Sequence, residues 1–202
     1  MTIDEDDRTV ISAAFDAAQQ RTSAPLQAVL AETSSDYALG PLVASFLIAL
    51  AAPWPLILFT ILPTQSIFTA QLAVSLVLLA LFSLPKLRMA LTPARARRAI
   101  AHRAALTQFV IRGGERAAGR NAVLIYVSLA ERYARVIAGE EACRHISQAE
   151  WQKLVDALTA NIAENGARAA LVGAAVSAAD LLAPHFPGQS GGASRLAHFH
   201  LV

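Results

Sequence analysis

The sequence predicts an α/β domain interrupted by a two-helix transmembrane hairpin. Three observations carry that prediction. Residues 37–85 form an unbroken run without Asp, Glu, Lys, Arg or His. On both sides of that run, apolar stripes at helical spacing alternate with short β-branched and aromatic runs, the pattern of an α/β fold. Charge is also sorted along the chain. Residues 1–36 hold seven acids and two bases, and residues 86–120 hold nine bases and one acid.

Composition agrees. The chain has 202 residues, of which 55% are hydrophobic and 16% charged, against about 25% charged in ordinary soluble domains. A disordered chain and a collagen-like repeat are excluded. One cysteine, Cys143, excludes an internal disulfide framework and a Cys-rich zinc fold.

The first element is a helix over residues 4–20. Val10, Ile11, Ala14, Phe15 and Ala18 fall on one face, and the acids at 4–7 sit where negative charge complements the helix dipole. Pro25 follows its end. Residues 26–32 read as a short strand. Residues 33–36 form a polar link.

A membrane helix needs about 20 mostly apolar residues, so the uncharged run accommodates two spans, placed at 41–62 and 67–84, joined by a turn at 63–66. Pro53 and Pro55 flank Trp54 in the first span; proline removes a backbone donor and clashes with the preceding turn, which predicts a kink. An acidic leader precedes the run, and no basic region lies at Met1, so a signal peptide is not expected. Lys86, Arg88, Arg95, Arg97, Arg98 and Arg103 follow the second span closely. The positive-inside rule then places both termini in the cytoplasm, with an inner-membrane location. The same six residues are the candidate lipid contacts, because each basic side chain near an anionic leaflet contributes about 1 kcal/mol of attraction.

Beyond the hairpin, Thr92-Pro93 marks a helix start, with the helix running to about Arg112. Residues 121–128 are the strongest strand signal, near-continuously apolar and β-branched, as in a strand buried on both faces. A link at 129–132 leads to a partner strand at 133–139, and so short a link implies an antiparallel hairpin. Ser147 and Glu150 form a capping box. Behind it Trp151, Leu154, Val155, Leu158 and Ile162 form one apolar helix face. Asn165-Gly166 stops that helix, an Ala-rich helix runs over 167–183 to Pro184, and residues 188–202 are expected to be a flexible tail.

The run Asn-Ala-Val-Leu-Ile-Tyr-Val-Ser-Leu-Ala-Glu-Arg-Tyr-Ala-Arg-Val-Ile-Ala-Gly-Glu-Glu at 121–141 resembles the strand pair of the TPM domain family. Asn121, Val123, Leu124, Arg132, Ile137 and Gly139 occupy positions similar to the family pattern. The helix at 151–162 and the Ala-rich helix ending Leu-Ala-Pro-His-Phe-Pro resemble its membrane-anchored bacterial branch. The resemblance covers residues 4–36 and 93–187 and implies an α-β-α sandwich, split by the hairpin into 1–36 and 93–187. It also implies a membrane-protein partner, of the LemA type. Some members of the family are phosphatases that bind a divalent metal. Here Ala122 replaces the usual glycine, and the second strand ends in Gly139-Glu140-Glu141-Ala142 rather than Gly-x-Gly-x-Glu.

Chemistry-bearing residues are sparse. Glu131, Glu140 and Glu141, with Asp36, are the candidate ligands for Mg²⁺ or Ca²⁺, since hard cations require several oxygens. Cys143 and His145 supply two potential zinc ligands and the tail pair His198 and His200 two more, whereas a site needs three or four in one place. His102 and His185 read as helix-end or surface residues. Ser128 ends a strand without a nucleophile-elbow motif. Gly113-Gly114 lacks the residues of a phosphate loop. No catalytic set stands out and no resident cofactor is expected. The basic segment has no interleaved aromatics, so nucleic acid is not an expected partner. The reading is a membrane-anchored scaffold or adaptor; the alternatives are a metal-dependent phosphatase and a protein responsive to anionic lipid.

Overall fold

The computed structural model describes residues 4–35, 37, 39–61, 63–82, 84, 88–90, 92–112, 120–188 and 199–201. It divides into two compact units, Met1–Ser34 with Ile100–Val202, and Ser35–Ala99.

The first unit opens with α1 (Glu5–Arg21). Asp4 caps it by accepting from the Glu5 N–H at 2.8 Å, and Asp7 closes a capping box. β1 (Leu26–Ala31) follows, with all six residues buried. After the apolar segment come α5 (Ala94–Ile111), which belongs to this unit from Ile100 onward, β2 (Val123–Ser128) and β3 (Tyr133–Ala138). Then come α6 (Glu140–His145), α7 (Gln148–Leu182) and β4 (Phe199–Leu201).

The strands form one sheet in the order β3-β2-β1-β4. β1 is parallel to both neighbours, with Ala31 opposite Ser128 on one side and Val29 opposite His200 on the other. β2 and β3 pair antiparallel, Ser128 opposite Tyr133 and Val123 opposite Ala138. Arg132, at φ 49°, closes the link between them in the left-handed region.

Alternation along the strands sorts two cores. Leu26, Ala28, Leu30, Val123, Ile125 and Val127 face α1 and α7. Val29, Ala31, Leu124 and Tyr126 face Ala105 of α5. The unit is therefore an α/β arrangement with helices on both faces of the sheet. Alanines along residues 167–182 let α7 come close to α1, since interaxial distance follows side-chain size. Arg168 bonds Asp7 at 3.0 Å, and Arg21 pairs with Asp180. Residue numbers rise together along both helices, so the two run parallel.

The second unit carries α2 (Leu39–Ala51), α3 (Pro53–Phe59) and α4 (Thr64–Phe82). Ala52 keeps helical angles between α2 and α3, and its N–H still reaches the Ile48 carbonyl at 2.9 Å. Pro53, which has no N–H to donate, then begins a separate helix. Gly40–Phe59 and Thr64–Phe82 are both long and apolar enough to cross a membrane.

Several boundaries differ from the sequence reading. The helix expected to run to residue 62 ends at Phe59, because Thr60 turns extended. Thr64-Gln65-Ser66 form the first turn of α4 rather than the loop, with the Ser66 N–H on the Pro63 carbonyl at 2.9 Å. α6 is unforeseen, its six residues being too few to show helical periodicity. Residues 188–202 were expected to be a flexible tail, yet Phe199–Leu201 add a strand to β1. The break at Gly166 falls where Asn165-Gly166 suggested: helical geometry is interrupted there at φ 83°, ψ 172°, backbone that only glycine takes readily.

Candidate functional site

The parallel register of β1 and β2 brings the segments after Ala31 and Ser128 to one edge of the sheet. The ladder continues briefly beyond both strands, with Leu129 N–H on the Ala31 carbonyl at 3.1 Å and Ala130 N–H on the Glu32 carbonyl at 3.0 Å. A polar cluster forms at this edge. Glu131 accepts from the Ser34 N–H at 2.9 Å and from the Ser128 hydroxyl. The Tyr126 phenol lies 3.0 Å from the Ser34 hydroxyl. Burial is the main cause that raises the Tyr126 pKa, and the hydrogen bond with Ser34 opposes it.

A serine beside a carboxylate at the carboxyl end of a parallel strand resembles a nucleophile with its base. Burial argues against that use. Ser128 is 1% exposed, so its hydroxyl is closed to a substrate. Both oxygens of Glu131 hold bonds within the fold. The cluster acts as a latch, tying the β2–β3 turn to the residues that leave β1. Ser34 and Tyr126 were missed in the sequence because the contact spans 97 residues from Ser34 to Glu131 and requires the parallel register.

The three candidate metal carboxylates are not brought together. Glu131 lies in the turn before β3, and Glu140 and Glu141 follow its far end. Six strand residues separate them, about 20 Å of extended chain. Arg144 pairs with both Glu140 and Glu141. Asp36 lies outside the described residues. Among the described residues, no group of three or more His, Cys, Asp or Glu is placed to hold a metal ion. The site proposed for Mg²⁺ or Ca²⁺ is thus corrected: a shared sheet end was assumed, and β3 divides it.

Cys143 and His145 likewise part. The exposed Cys143 thiol donates to the Ala138 carbonyl at 3.5 Å. His145 stacks on His185, ring centres 5.3 Å apart, and meets Phe186 edge-on. His200 sits in β4, and His198 lies outside the described residues. His102 has a pKa lowered by burial first and by the Arg135 charge second.

Of the candidate lipid contacts, Lys86 lies outside the described residues. The Arg88 side chain donates to the Phe82 carbonyl at 2.6 Å, capping the end of α4. Arg95 and Arg98 are exposed and Arg97 half-buried near the start of α5; Arg103 is exposed further along. Among the described residues, none of these five forms an ion pair with a carboxylate. Arginine at a helix start opposes the helix dipole by about 0.3–1 kcal/mol per residue. Local helix stability therefore does not explain Arg95, Arg97 and Arg98.

The features define a mixed α/β unit whose polar cluster is structural, in a chain that also carries two exposed apolar helices. No family model matches the sequence, and no curated protein matches it. In structure the chain is similar to the BA42 protein from the psychrophilic bacterium Bizionia argentinensis, solved by NMR. The TM-score is 0.61 at 13% identity, over 100% of this chain and 97% of that one. At that identity the likeness establishes the fold alone.

Proposed function

We propose that this is a membrane-anchored, TPM-like protein that works as a non-enzymatic scaffold or adaptor on a membrane-protein partner. One observation carries the reading. Two helices of membrane-spanning length expose their apolar side chains, and the α/β unit of the same chain keeps the Ser128 hydroxyl, bonded to Glu131, buried. An anchor with a folded module, and with no open reaction centre among the described residues, suits recognition better than turnover.

In this reading Gly40–Phe59 and Thr64–Phe82 cross the inner membrane as a hairpin. The arginines after α4 hold both flanks on the cytoplasmic side, where Arg95, Arg98 and Arg103 meet anionic headgroups. The strand-pair residues Asn121, Val123, Leu124, Arg132, Ile137 and Gly139 support the TPM-like assignment, and a LemA-type membrane protein is the first partner to seek.

Crosslinked co-purification from native membranes tests the proposal. The expected result is a stoichiometric membrane-protein partner. Background alone, together with phosphomonoester hydrolysis by the purified full chain, would overturn it in favour of an enzyme.

A further inference from the structure

Among the described residues the sheet ends at β3, and no strand covers that edge. Gly139 donates to the Ala122 carbonyl at 2.8 Å. Alternation along an antiparallel ladder then puts the hydrogen-bonded pairs at Leu124–Ile137, Tyr126–Arg135 and Ser128–Tyr133. The backbone N–H and C=O groups of Ala134 and Val136 therefore point away from β2. The Ala138 carbonyl points the same way, and there it accepts from Cys143. Among the described residues no strand pairs with this edge.

A groove of about 410 Å³ follows the edge, with Leu106 of α5 on one flank and Trp151 and Val155 of α7 on the other. Among the described residues Arg135 is the charged side chain that lines it, and no carboxylate does. Arg135 has no ion-pair partner among the described residues. Trp151 is 5% exposed, and its buried indole N–H finds no acceptor among them. The groove thus offers outward backbone groups and a cation.

We propose that this edge docks an extended, acidic segment of a partner protein by strand addition. Side chains of an added strand alternate between two faces. Its acidic residues face Arg135 on the α5 side, and its apolar residues face Trp151 and Val155 on the α7 side. A second copy of β3 fits poorly, because it would set one Arg135 near another, and like charges across a strand pair are destabilising. The inference deepens the adaptor reading and rests on it.

Cys143 lines the same groove and is the sole cysteine, so its alkylation reports occupancy. The probe is a short synthetic peptide alternating glutamate and valine, added to the full chain in non-ionic detergent. At about ten times its dissociation constant it slows Cys143 alkylation about tenfold, and a lysine–valine peptide leaves the rate unchanged. Arg135→Glu reverses the preference. Equal protection by both peptides, or none by the glutamate peptide, overturns the proposal. Protection that rises with protein concentration alone also overturns it and assigns the edge to a second copy. Native-membrane capture separates the two readings: absence of any partner removes the adaptor, whereas capture unchanged by Arg135→Glu removes only this docking edge.

Discussion

The two units use apolar residues in opposite ways. In the α/β unit they are inside: Ile11, Phe15, Leu30, Ile125 and Leu171 are all 0% exposed. In the apolar unit they are outside. Among the described residues, all the large exposed hydrophobics except Leu106, Val110, Ile111 and Val176 lie between Leu42 and Leu84. A buried Leu, Val or Phe side chain is worth about 1.5–3 kcal/mol over an exposed one. Left in water, the side chains from Leu42 to Leu84 would together forgo more than the roughly 5–15 kcal/mol by which a domain is stable. The exposed apolar side chains of this unit are what the proposed membrane hairpin would place in lipid.

The largest expected effects come from the core. Phe15→Ala should destabilise the α/β unit by about 3–5 kcal/mol, and Phe68→Ala, on the exposed face of α4, should leave it unchanged. Urea titration of the full chain in detergent would show this, followed by Trp151 fluorescence in a Trp54→Phe background. Next comes a charge in the apolar unit. Val77→Arg should oppose membrane insertion by about 2.5–3.5 kcal/mol, seen as increased release by alkaline carbonate. Val176→Arg, at an exposed position of α7, should release no more than the parent chain.

Smaller effects lie within the α/β unit. Gly166→Ala forces a side chain into a glycine-only conformation and should cost about 1–3 kcal/mol. Gly173→Ala meets only the Asn161 side chain, at 3.4 Å, and should gain about 0.5–1 kcal/mol from helix propensity. Ser147→Ala should cost about 1 kcal/mol through loss of the cap. The Glu150 carboxyl is held below its ordinary value by the Ser147 side chain first and its N–H second. A lowered folded-state value means this contribution is present above the ordinary carboxylate range. It disappears as pH falls through the lowered value. Acid titration of stability should therefore be flatter in Ser147→Ala than in the parent. The smallest effect is Arg168→Ala, at most about 1 kcal/mol by chemical denaturation, since the ion pair with Asp7 is only partly buried.

Local signals were legible in the sequence, and long-range ones were not. The Ser147–Glu150 capping box, the Gly166 stop and the Pro53 interruption each depend on a few adjacent residues, and each falls where the pattern puts it. The apolar run was equally plain, although its limits moved by a few residues because Thr60 and Thr64, either side of the turn, are both polar. β4 was not legible: three residues reveal nothing until β1 offers a free side. The Ser34–Glu131 latch and the division of Glu131 from Glu140 and Glu141 depend on strand register. The groove along β3 depends on that strand being last in the sheet, which strand order alone decides.

The central claim is that the apolar helices form a membrane hairpin that holds the α/β unit at the cytoplasmic face. Topology reporters fused in turn after Thr64 and after Val202 test it most directly. The account predicts that the Thr64 fusion reads on the far side of the membrane and the Val202 fusion in the cytoplasm. Both fusions reading on the same side, or the chain partitioning to the soluble fraction, would contradict it.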